Sequence, residues 1–313
     1  MKSVLITGGS GYLGSHLCKL LKLQKWHVVI FDLQTPQHKY YDEFVHGDIR
    51  DREEVAGAFL ANKFNLVIHC ASRIEVGESM KDPTEFWEVN VGGTAILLNA
   101  MKKAKVKELL FSSTAAVYQA SKNPISEGQP LASNSVYGDT KSVCEKMIAD
   151  SGLKYGIFRY FNLAGADLSA EMGENHNPET HLIPNILNNL KNVKIFGNDY
   201  DTPDGTCVRD YVHVLDVAKA HLQGWNYLQK NDSFIVNLGS GVGLSILEVL
   251  KAVCNATHKE VKAKVLPRRA GDPDCLVADI SKAKELLGYE PEFDITDIVW
   301  SAHLWHNLVK KTK

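Results

Sequence analysis

The chain has 313 residues, of which 44% are hydrophobic and 23% are charged, and its formal net charge at pH 7 is −2. This composition is typical of a globular protein, and the scattered basic residues argue against a dedicated nucleic-acid surface. At roughly 150 residues per domain, the length predicts about two domains, or one large α/β unit with an appendage.

The first half of the chain alternates short apolar runs with segments of helical length. The apolar runs predict strands at residues 3–7, 27–31, 44–46, 65–70, 107–111 and 154–160. The intervening segments predict helices at residues 12–23, 52–62, 84–104 and 135–151. Strands that are buried on both faces form continuous apolar runs, so the pattern predicts an α/β fold with a Rossmann-type, doubly wound parallel sheet.

A glycine-rich turn follows the first predicted strand and opens the first predicted helix. Gly8, Gly11 and Gly14 have the spacing that allows a tight turn, close approach of a pyrophosphate, and close packing of the helix on the strand. Asp32 ends the second strand, where a carboxylate accepts hydrogen bonds from the adenosine ribose and repels a 2′-phosphate. The sequence therefore predicts an NAD site.

Asp48 follows the third predicted strand and has two interpretations. Its carboxylate can accept a hydrogen bond from the adenine amino group of the dinucleotide. Alternatively, it can cap the helix that begins near Arg52, because aspartate is a favoured N-cap residue. The sequence leaves both interpretations open.

Polar residues at the end of the fifth strand and on the following helix suggest acid-base chemistry. Tyr137 and Lys141 are four residues apart, so both side chains lie on one helix face. A neighbouring ammonium group lowers the pKa of a tyrosine, which then can act as a general base. Ser112 and Thr114 supply hydroxyl groups at the strand end, the edge of a parallel sheet where ligands bind.

After about residue 165 the sequence becomes richer in turn-forming residues, most densely at residues 173–180 and 198–205. Shorter strand patterns occur at residues 234–238 and 261–266, and Ser245 with Glu248 forms a capping box at a helix start. We therefore predict a first domain at residues 1–165 and a smaller C-terminal α/β lobe at 166–313. The sequence leaves open whether the chain returns to the first domain around residues 206–240.

Cysteine spacing and the N-terminus indicate where the protein resides. None of the six cysteines lies within three residues of another, and the twelve histidines are scattered, so we expect neither a CxxC pattern nor a metal site. The start MKSVLITGG is interrupted by glycine too early for a secretory signal, and no apolar run approaches the roughly 18 residues that span a bilayer. We expect a cytoplasmic protein without a membrane partner.

The motifs at residues 7–14, 112–114 and 137–141 resemble those of the extended short-chain dehydrogenase/reductases. The resemblance implies that Tyr137 and Lys141 are the catalytic pair and Thr114 the third member, in an NAD-binding Rossmann domain at residues 1–165. It also implies further cofactor contacts, from Tyr12, Leu13, Ile49, Ala71, Asn90, Ser112 and Tyr160. One departure is Ile74, where several members of the family have a lysine; Arg73 or Arg50 is the candidate substitute.

Two features narrow the reaction within that family. The sugar dehydratases carry an Asp-Glu pair where this chain has Ala115 and Ala116, and alanine transfers no protons. The second half resembles the UDP-galactose 4-epimerases at residues 159–162, 180–184, 195–200, 204–213, 237–241 and 267–272. The resemblance implies reversible C4 epimerisation of UDP-glucose and UDP-galactose. The alternatives are another UDP-sugar, such as an N-acetylhexosamine, pentose or uronic acid, and a non-catalytic NAD sensor.

The same resemblance assigns the substrate contacts, which make residues 166–313 a UDP-sugar-binding lobe. Arg209 and Arg269 would bind the diphosphate, since guanidinium is a bidentate phosphate ligand. The remaining contacts would come from Asn162 in the same region, Asp272 at the uridine ribose, Leu182 at the uracil, His181 in the pocket wall, and Thr114 and Tyr137 at the sugar.

Two further expectations follow from the family. Leu276 occupies a part of the pocket wall where some relatives carry a tyrosine that restricts N-acetylated sugars, so we expect tolerance for UDP-N-acetylhexosamines. The helices at residues 84–104 and 135–151 have apolar faces, and in the family such helices form a dimer bundle. We therefore expect a homodimer.

Overall fold

The computed structural model describes residues 1–176, 178–269 and 272–312, so two residues of the predicted 267–272 segment lie outside the described residues. The chain divides into two compact units. The first unit comprises Met1–Gln119, Pro130–Arg159 and Ala218–Val236. The second comprises Ala120–Gln129, Tyr160–Val217 and the residues from Asn237 onwards. Each unit is described separately below.

The described residues form thirteen strands and eleven α-helices. The strands are β1 (Ser3–Thr7), β2 (His27–Asp32), β3 (Glu43–His46), β4 (Leu66–His69), β5 (Glu108–Thr114), β6 (Lys154–Tyr160), β7 (Asn162–Ala164), β8 (Val193–Phe196), β9 (Val208–His213), β10 (Phe234–Leu238), β11 (Gly243–Ser245), β12 (Ala263–Leu266) and β13 (Cys275–Leu276). The helices are α1 (Tyr12–Leu23), α2 (Arg52–Ala58), α3 (Val76–Ser79), α4 (Pro83–Phe86), α5 (Gly93–Ala104), α6 (Val136–Asp150), α7 (Leu182–Asn188), α8 (Val214–Leu228), α9 (Ile246–Thr257), α10 (Ser281–Leu287) and α11 (Ile295–Thr312).

The central sheet has seven strands in the order β10-β6-β5-β4-β1-β2-β3 and lies almost entirely in the first unit. The neighbouring pairs from β3 through β5 are parallel. This arrangement confirms the predicted Rossmann-type sheet. Because the strands run in one direction, their carboxyl ends lie on one sheet edge, where ligands bind in such folds.

The core of the first unit explains why its strands read as continuous apolar runs. Val29 and Phe31 of β2 and Leu109 of β5 are at most 2% exposed, and they belong to one cluster with Leu97 and Met101 of α5. A fully buried aliphatic or aromatic side chain contributes roughly 1.5–3 kcal/mol by leaving water. The sheet therefore forms a rigid base under the polar strand ends.

The segment at residues 84–104 differs from the single helix that we predicted. It consists of α4, a π-helix at Trp87–Gly92, and α5. Side chains bind the Asn90 carbonyl inside this π-helix: the Thr94 hydroxyl at 2.5 Å and the Cys144 thiol at 3.2 Å. The side-chain amide of Asn90 in turn donates to the Thr140 hydroxyl at 3.0 Å. Local π-turns of this kind are common at functional sites.

The second unit has its own smaller sheets and core. β9 pairs with β11, β13 and β7, and β12 pairs with β8. Ile183 and Ile186 of α7, Val249 of α9 and Val299 of α11 are buried in one apolar cluster. The predicted capping box is confirmed, because Ser245 and Glu248 exchange hydrogen bonds at the start of α9.

Among the described residues, the structure has no helix with the length and apolar character needed to cross a membrane.

Candidate active site

The predicted glycine turn connects β1 to α1 with the geometry of a phosphate-binding loop. Gly8 has φ of 72°, a left-handed conformation that glycine adopts without strain. A Cβ atom on Gly14 would lie 2.1 Å from the Gly8 carbonyl oxygen, so only glycine allows this approach. Within the described residues, α1 begins after Gly11 without a side-chain cap. The first amide groups of α1 are therefore available to an anion.

Asp32 lies beside this turn at the end of β2. Its carboxylate accepts hydrogen bonds from the Ser10 amide at 2.9 Å and the Gln34 amide at 3.0 Å. A carboxylate has about four acceptor sites, so these two bonds leave capacity for ribose hydroxyls. The structure therefore brings the glycine turn and the acid together, as the sequence predicts.

The structure shows which residue caps the helix that begins at Arg52, and thus decides one of the two interpretations of Asp48. Asp51 is the N-cap of α2, because its carboxylate accepts from the Glu53 and Glu54 amides. The interpretation of Asp48 as that cap is therefore wrong. Asp48 instead binds Arg50, whose guanidinium at 2.6 Å lowers the pKa of the Asp48 carboxyl. Ile49, between them, is buried.

Arg50 and Arg73 are the two candidate substitutes for a lysine at position 74, and each is paired with at least one carboxylate. The Arg50 guanidinium also binds Glu85 at 3.1 Å, in addition to its contact with Asp48. Arg73 is half exposed, lies 3.4 Å from Glu75, and stacks over the Phe86 ring at 5.7 Å. Arg73 thus has fewer carboxylate partners than Arg50.

Asn90 and Ala71 occupy the sheet edge next to the glycine turn. The Asn90 side chain accepts from the Arg73 amide at 2.8 Å and from the Ser72 hydroxyl at 3.0 Å. The Ala71 amide donates to the Thr7 hydroxyl at 3.4 Å, and a Cβ on Gly8 would lie 2.6 Å from that amide nitrogen. Tyr12 and Leu13 occupy the first turn of α1. Ala71, Tyr12 and Leu13 thus adjoin the glycine turn, and Asn90 holds the segment that follows Ala71; their contacts with a cofactor stay a prediction.

Tyr137 and Lys141 lie on the buried face of α6. Ser135 caps this helix by accepting from the Gly138 amide, and the Ser79 hydroxyl accepts from the Tyr137 amide at 3.1 Å. The Lys141 ammonium donates to the Ser112 carbonyl at 2.9 Å, and burial lowers the pKa of Lys141. The helix start is thereby fixed against α3, and the lysine is fixed against the end of β5.

Thr114 connects the strand end to the tyrosine. Its hydroxyl accepts from the Ala116 amide at 3.1 Å and is hydrogen-bonded to the Tyr137 hydroxyl. Ala115 and Ala116 form the start of a 3₁₀-helix at Ala115–Val117. The structure therefore brings Thr114, Tyr137 and Lys141 together, with two alanines beside them.

The pKa of Tyr137 differs from our expectation. Burial raises it to about 12, and the hydrogen bond from Thr114 only partly opposes the rise. We expected the Lys141 ammonium to lower this pKa, but that ammonium binds the Ser112 carbonyl instead. In the protein chain alone, desolvation of the phenolate outweighs the hydrogen bond from Thr114 and raises the pKa of Tyr137.

A buried network supports this group, and the sequence analysis did not identify it. Glu145, one turn after Lys141, accepts from the Ser113 hydroxyl and binds the Arg159 guanidinium at 2.5 Å. Arg159 also donates to the Tyr118 hydroxyl at 2.7 Å. Both ion-pair side chains are 4% exposed, so the pair ties α6 to β6 inside the core. The spacing of Glu145 from Lys141 was the only local signal.

In the second unit, Arg209 and Asp272 form an ion pair at 2.5 Å. The Arg269 guanidinium stacks over the Phe196 ring at 4.1 Å. The Asp272 amide donates to the Arg269 carbonyl at 3.3 Å, so Asp272 connects the two arginines. The structure therefore brings together the residues predicted for the diphosphate and the ribose.

The remaining predicted contacts lie near the start of α7. A small cavity in the second unit is lined by Asn162, His181 and Leu182. Tyr160, two residues before Asn162, is buried at the end of β6. Leu276 of β13 pairs with Arg209 in the sheet register, so it adjoins the predicted diphosphate ligand.

Residues 4–239 match a family described as the NAD dependent epimerase/dehydratase family. The UDP-glucose 4-epimerase of Rhizobium meliloti is 41% identical over 321 residues, which cover 97% of each chain. The solved UDP-glucose-4-epimerase from Stenotrophomonas maltophila, with bound NAD and formylated UDP-arabinopyranose, has a TM-score of 0.95 and 37% identity over all of both chains. The enzyme from Bifidobacterium longum, in complex with NAD⁺ and UDP, has a TM-score of 0.92 and 35% identity over all of both chains.

Proposed function

This chain belongs to the NAD dependent epimerase/dehydratase family, and we propose that it interconverts UDP-glucose and UDP-galactose by inverting C4 of the sugar. The observation that carries the proposal is Tyr137, buried beside Thr114 and Lys141 and next to two alanines rather than acids. A buried tyrosine beside a threonine hydroxyl and a lysine suits removal of a hydroxyl proton. Alanine side chains cannot transfer the protons that elimination of water requires. The relatives favour neither another UDP-sugar nor a non-catalytic NAD sensor.

The first unit fits NAD as its resident cofactor. A Cβ on Gly11 would meet the Gly8 carbonyl oxygen at 3.3 Å, and its absence lets a pyrophosphate approach the backbone at the start of α1, while Asp32 suits the adenosine ribose. The other residues that would line the cofactor are Gly8, Gly11, Tyr12, Leu13, Asp48, Ile49, Ala71, Asn90, Ser112, Tyr137, Lys141 and Tyr160. The chemistry that NAD supplies when bound is reversible hydride transfer with the sugar carbon C4.

The chain itself moves the proton. The Thr114 hydroxyl has one proton and would transfer its hydrogen bond from Tyr137 to the C4 oxygen of the bound sugar, while the Tyr137 phenolate takes the C4 hydroxyl proton and later returns it. Because burial raises the pKa of Tyr137 to about 12, the phenolate forms near neutral pH only when positive charge is close. Lys141 is already present in the chain at that value, so the further positive charge would come from the oxidised nicotinamide ring.

The second unit contains the residues that would bind the UDP part of the substrate. We propose that Arg209 and Arg269 bind the diphosphate, Asp272 the uridine ribose, Leu182 the uracil, and Asn162 and His181 the adjoining pocket wall. A ligand at Arg209 must share this guanidinium with Asp272, and five N–H donors allow that. Strong binding of UDP with few contacts to the sugar would let the 4-keto sugar turn its opposite face to the cofactor.

We further propose a cytoplasmic homodimer. Trp87 of the π-helix and Val143 of α6 are 38% and 37% exposed, and they lie on helices whose apolar faces we predicted to pair. All six cysteines are free, as in a reducing compartment. Sedimentation analysis at micromolar concentration should give a species of twice the chain mass, and a monomer there would refute the dimer.

The function is tested by incubating the purified protein with UDP-galactose and no added NAD. UDP-glucose should form, because each reaction cycle regenerates NAD and the cofactor stays bound. The same assay with added NAD distinguishes lost cofactor from absent activity. If neither condition produces UDP-glucose, the proposed function is wrong.

A further inference from the structure

Four side chains of the loop between β7 and α7 converge in the second unit. They are Glu174, His176, Glu179 and His181, and one ligand atom from each lies within 4.8 Å of all the others. The Glu174 carboxylate oxygen Oε1 faces the Nδ1 atoms of both imidazoles. The Glu179 oxygen Oε1 lies 3.9 Å from Nδ1 of His176 and 3.6 Å from Nδ1 of His181.

This convergence is unlike an ordinary surface ion pair because the acids are enclosed. The side chains of Glu174 and Glu179 are only 5% and 11% exposed. Burying two carboxylates is costly unless cations neutralise them. Two imidazoles do so only when both are protonated, whereas one divalent ion compensates both acids directly.

The distances and the donor set fit a tetrahedral metal site. A metal about 2.1 Å from each of four ligands holds those ligands about 3.4 Å apart. Three contacts between imidazole nitrogens and carboxylate oxygens, of 3.2, 3.6 and 3.9 Å, bracket that spacing. In the fourth, Nδ1 of His181 is in direct hydrogen-bond contact with Oε1 of Glu174, and the ion would replace that contact. Two imidazoles with two carboxylates suit zinc and its neighbours, while magnesium and calcium prefer oxygen ligands alone.

We propose that Glu174, His176, Glu179 and His181 bind one divalent transition-metal ion of the zinc type. Four protein ligands leave no open coordination position, so the ion is structural rather than catalytic. His181 immediately precedes α7, and the ion therefore fixes the loop to the start of that helix. The proposal departs from our expectation of no metal site; the local signal was the spacing of His176 and His181, which zinc ligands also show.

The test uses the full, tag-free chain, treated with EDTA, dialysed, and titrated with Zn²⁺ by calorimetry. We expect one ion per chain, a dissociation constant in the micromolar range or tighter, and a rise in the melting temperature with Zn²⁺. Co²⁺ should give the intense visible absorption of a tetrahedral complex. His176→Ala and the nearly isosteric Glu179→Gln should each weaken Zn²⁺ binding by about tenfold or more.

His27→Ala is the matched control, since His27 also contacts a carboxylate, that of Glu43 at 3.0 Å, but lies outside the cluster. This variant should bind Zn²⁺ like the unmodified chain. Circular dichroism checks that the cluster variants are folded, and Glu179→Gln decides the matter if His176→Ala is not. Absence of stoichiometric Zn²⁺ binding, or equal affinity in Glu179→Gln and the unmodified chain, overturns the proposal and leaves an ion-pair cluster. Epimerase activity after EDTA treatment is a separate readout.

Discussion

At the scale of single residues, Tyr137 shows that burial and catalysis have opposite requirements. Burial raises the pKa of Tyr137 to about 12, while a general base must release its proton near neutral pH. The difference has to come from positive charge and hydrogen bonds that act on the phenolate. Thr114 already provides one such hydrogen bond, which favours the charged form.

Tyr137→Phe should therefore lower kcat by about 10²–10⁴-fold, because the ring stays in place and only the proton-transferring oxygen is lost. Bound NAD, measured by absorbance after denaturation, should stay at the level of the unmodified protein. Tyr155→Phe, in β6, is the control and should keep its activity. Substantial epimerisation by Tyr137→Phe would refute its assignment as the base.

Leu276 gives a prediction about substrate choice. It adjoins Arg209 in the β13–β9 pairing, next to the predicted diphosphate ligand. UDP-N-acetylglucosamine should be epimerised, and Leu276→Tyr should lower kcat/KM for this sugar by about 10–200-fold, since the larger ring fills the space of the N-acetyl group. Turnover of UDP-galactose, and both rates in the control Cys275→Ala, should change little. If the unmodified protein turns over UDP-N-acetylglucosamine only at the background rate, the prediction of tolerance for N-acetylated sugars is wrong.

The sequence revealed Tyr137, Lys141 and Thr114 because their spacing within one strand and one helix is local. It did not reveal Glu145 as a partner of Arg159, since that contact depends on how α6 packs against β6. It also predicted the wrong direction for the pKa of Tyr137, because the degree of burial is a property of the fold. The ligand roles of the site residues remain predictions.

At the scale of elements, the buried Glu145–Arg159 pair holds α6 against the sheet. Both side chains are 4% exposed, so removal of one leaves the other charged and without its partner in the core. The pair also reaches Ser113 and Tyr118, on either side of Thr114 and the two alanines. The network therefore positions the helix that carries Tyr137 and Lys141.

Glu145→Ala and Arg159→Ala should each reduce the free energy of unfolding by about 3–5 kcal/mol, as breaking a buried ion pair does. The double variant should lose less than the sum of the two, because the second change removes a charge that the first left unpaired. Urea unfolding measures all three. Lys146→Ala removes the exposed pair with Asp150 on the same helix and should unfold near the unmodified midpoint. Additive losses in the double variant would contradict the coupling.

The π-helix at Trp87–Gly92 marks where local prediction fails for an element. Apolar spacing predicted one helix over residues 84–104, and helix boundaries at both sides are nearly right. The π-helical interruption depends on Thr94 and Cys144, whose side chains donate hydrogen bonds to the Asn90 carbonyl. Cys144 belongs to α6, so the sequence of the segment itself cannot reveal this contact.

At the scale of the whole molecule, strand content was predictable and strand order was not. Six apolar runs in the first half predict the strands β1 to β6, and the largest deviation at any end is three residues, at the end of β5. Their spatial order, with β1 in the interior and β10 returning beside β6, depends on pairings between distant segments. The sequence therefore leaves the return of the chain to β10 open. The division of roles between domains stays a prediction.

The stability of the whole chain in acid depends on His69, which is buried between β1 and α5. Its ring nitrogens bind the hydroxyls of Thr7 at 2.7 Å and Thr94 at 3.0 Å. Burial, and secondarily the positive charge of Lys141, lowers the pKa of His69 to about 3. Between about pH 3 and 6.5 the unfolded chain therefore binds one more proton than the folded chain, and stability falls as the pH falls.

This one group should contribute a slope of up to about 1.4 kcal/mol per pH unit to the free energy of unfolding below pH 6.5. His69→Gln keeps hydrogen-bonding capacity but does not titrate, so its stability should fall less steeply between roughly pH 6.5 and pH 4. Urea unfolding across this range measures both slopes, and an overall loss of stability in the variant does not affect the comparison. His27→Gln is the control, because His27 lies near the surface beside two carboxylates. Equal slopes in His69→Gln and the unmodified protein would show that His69 takes up its proton in the folded state.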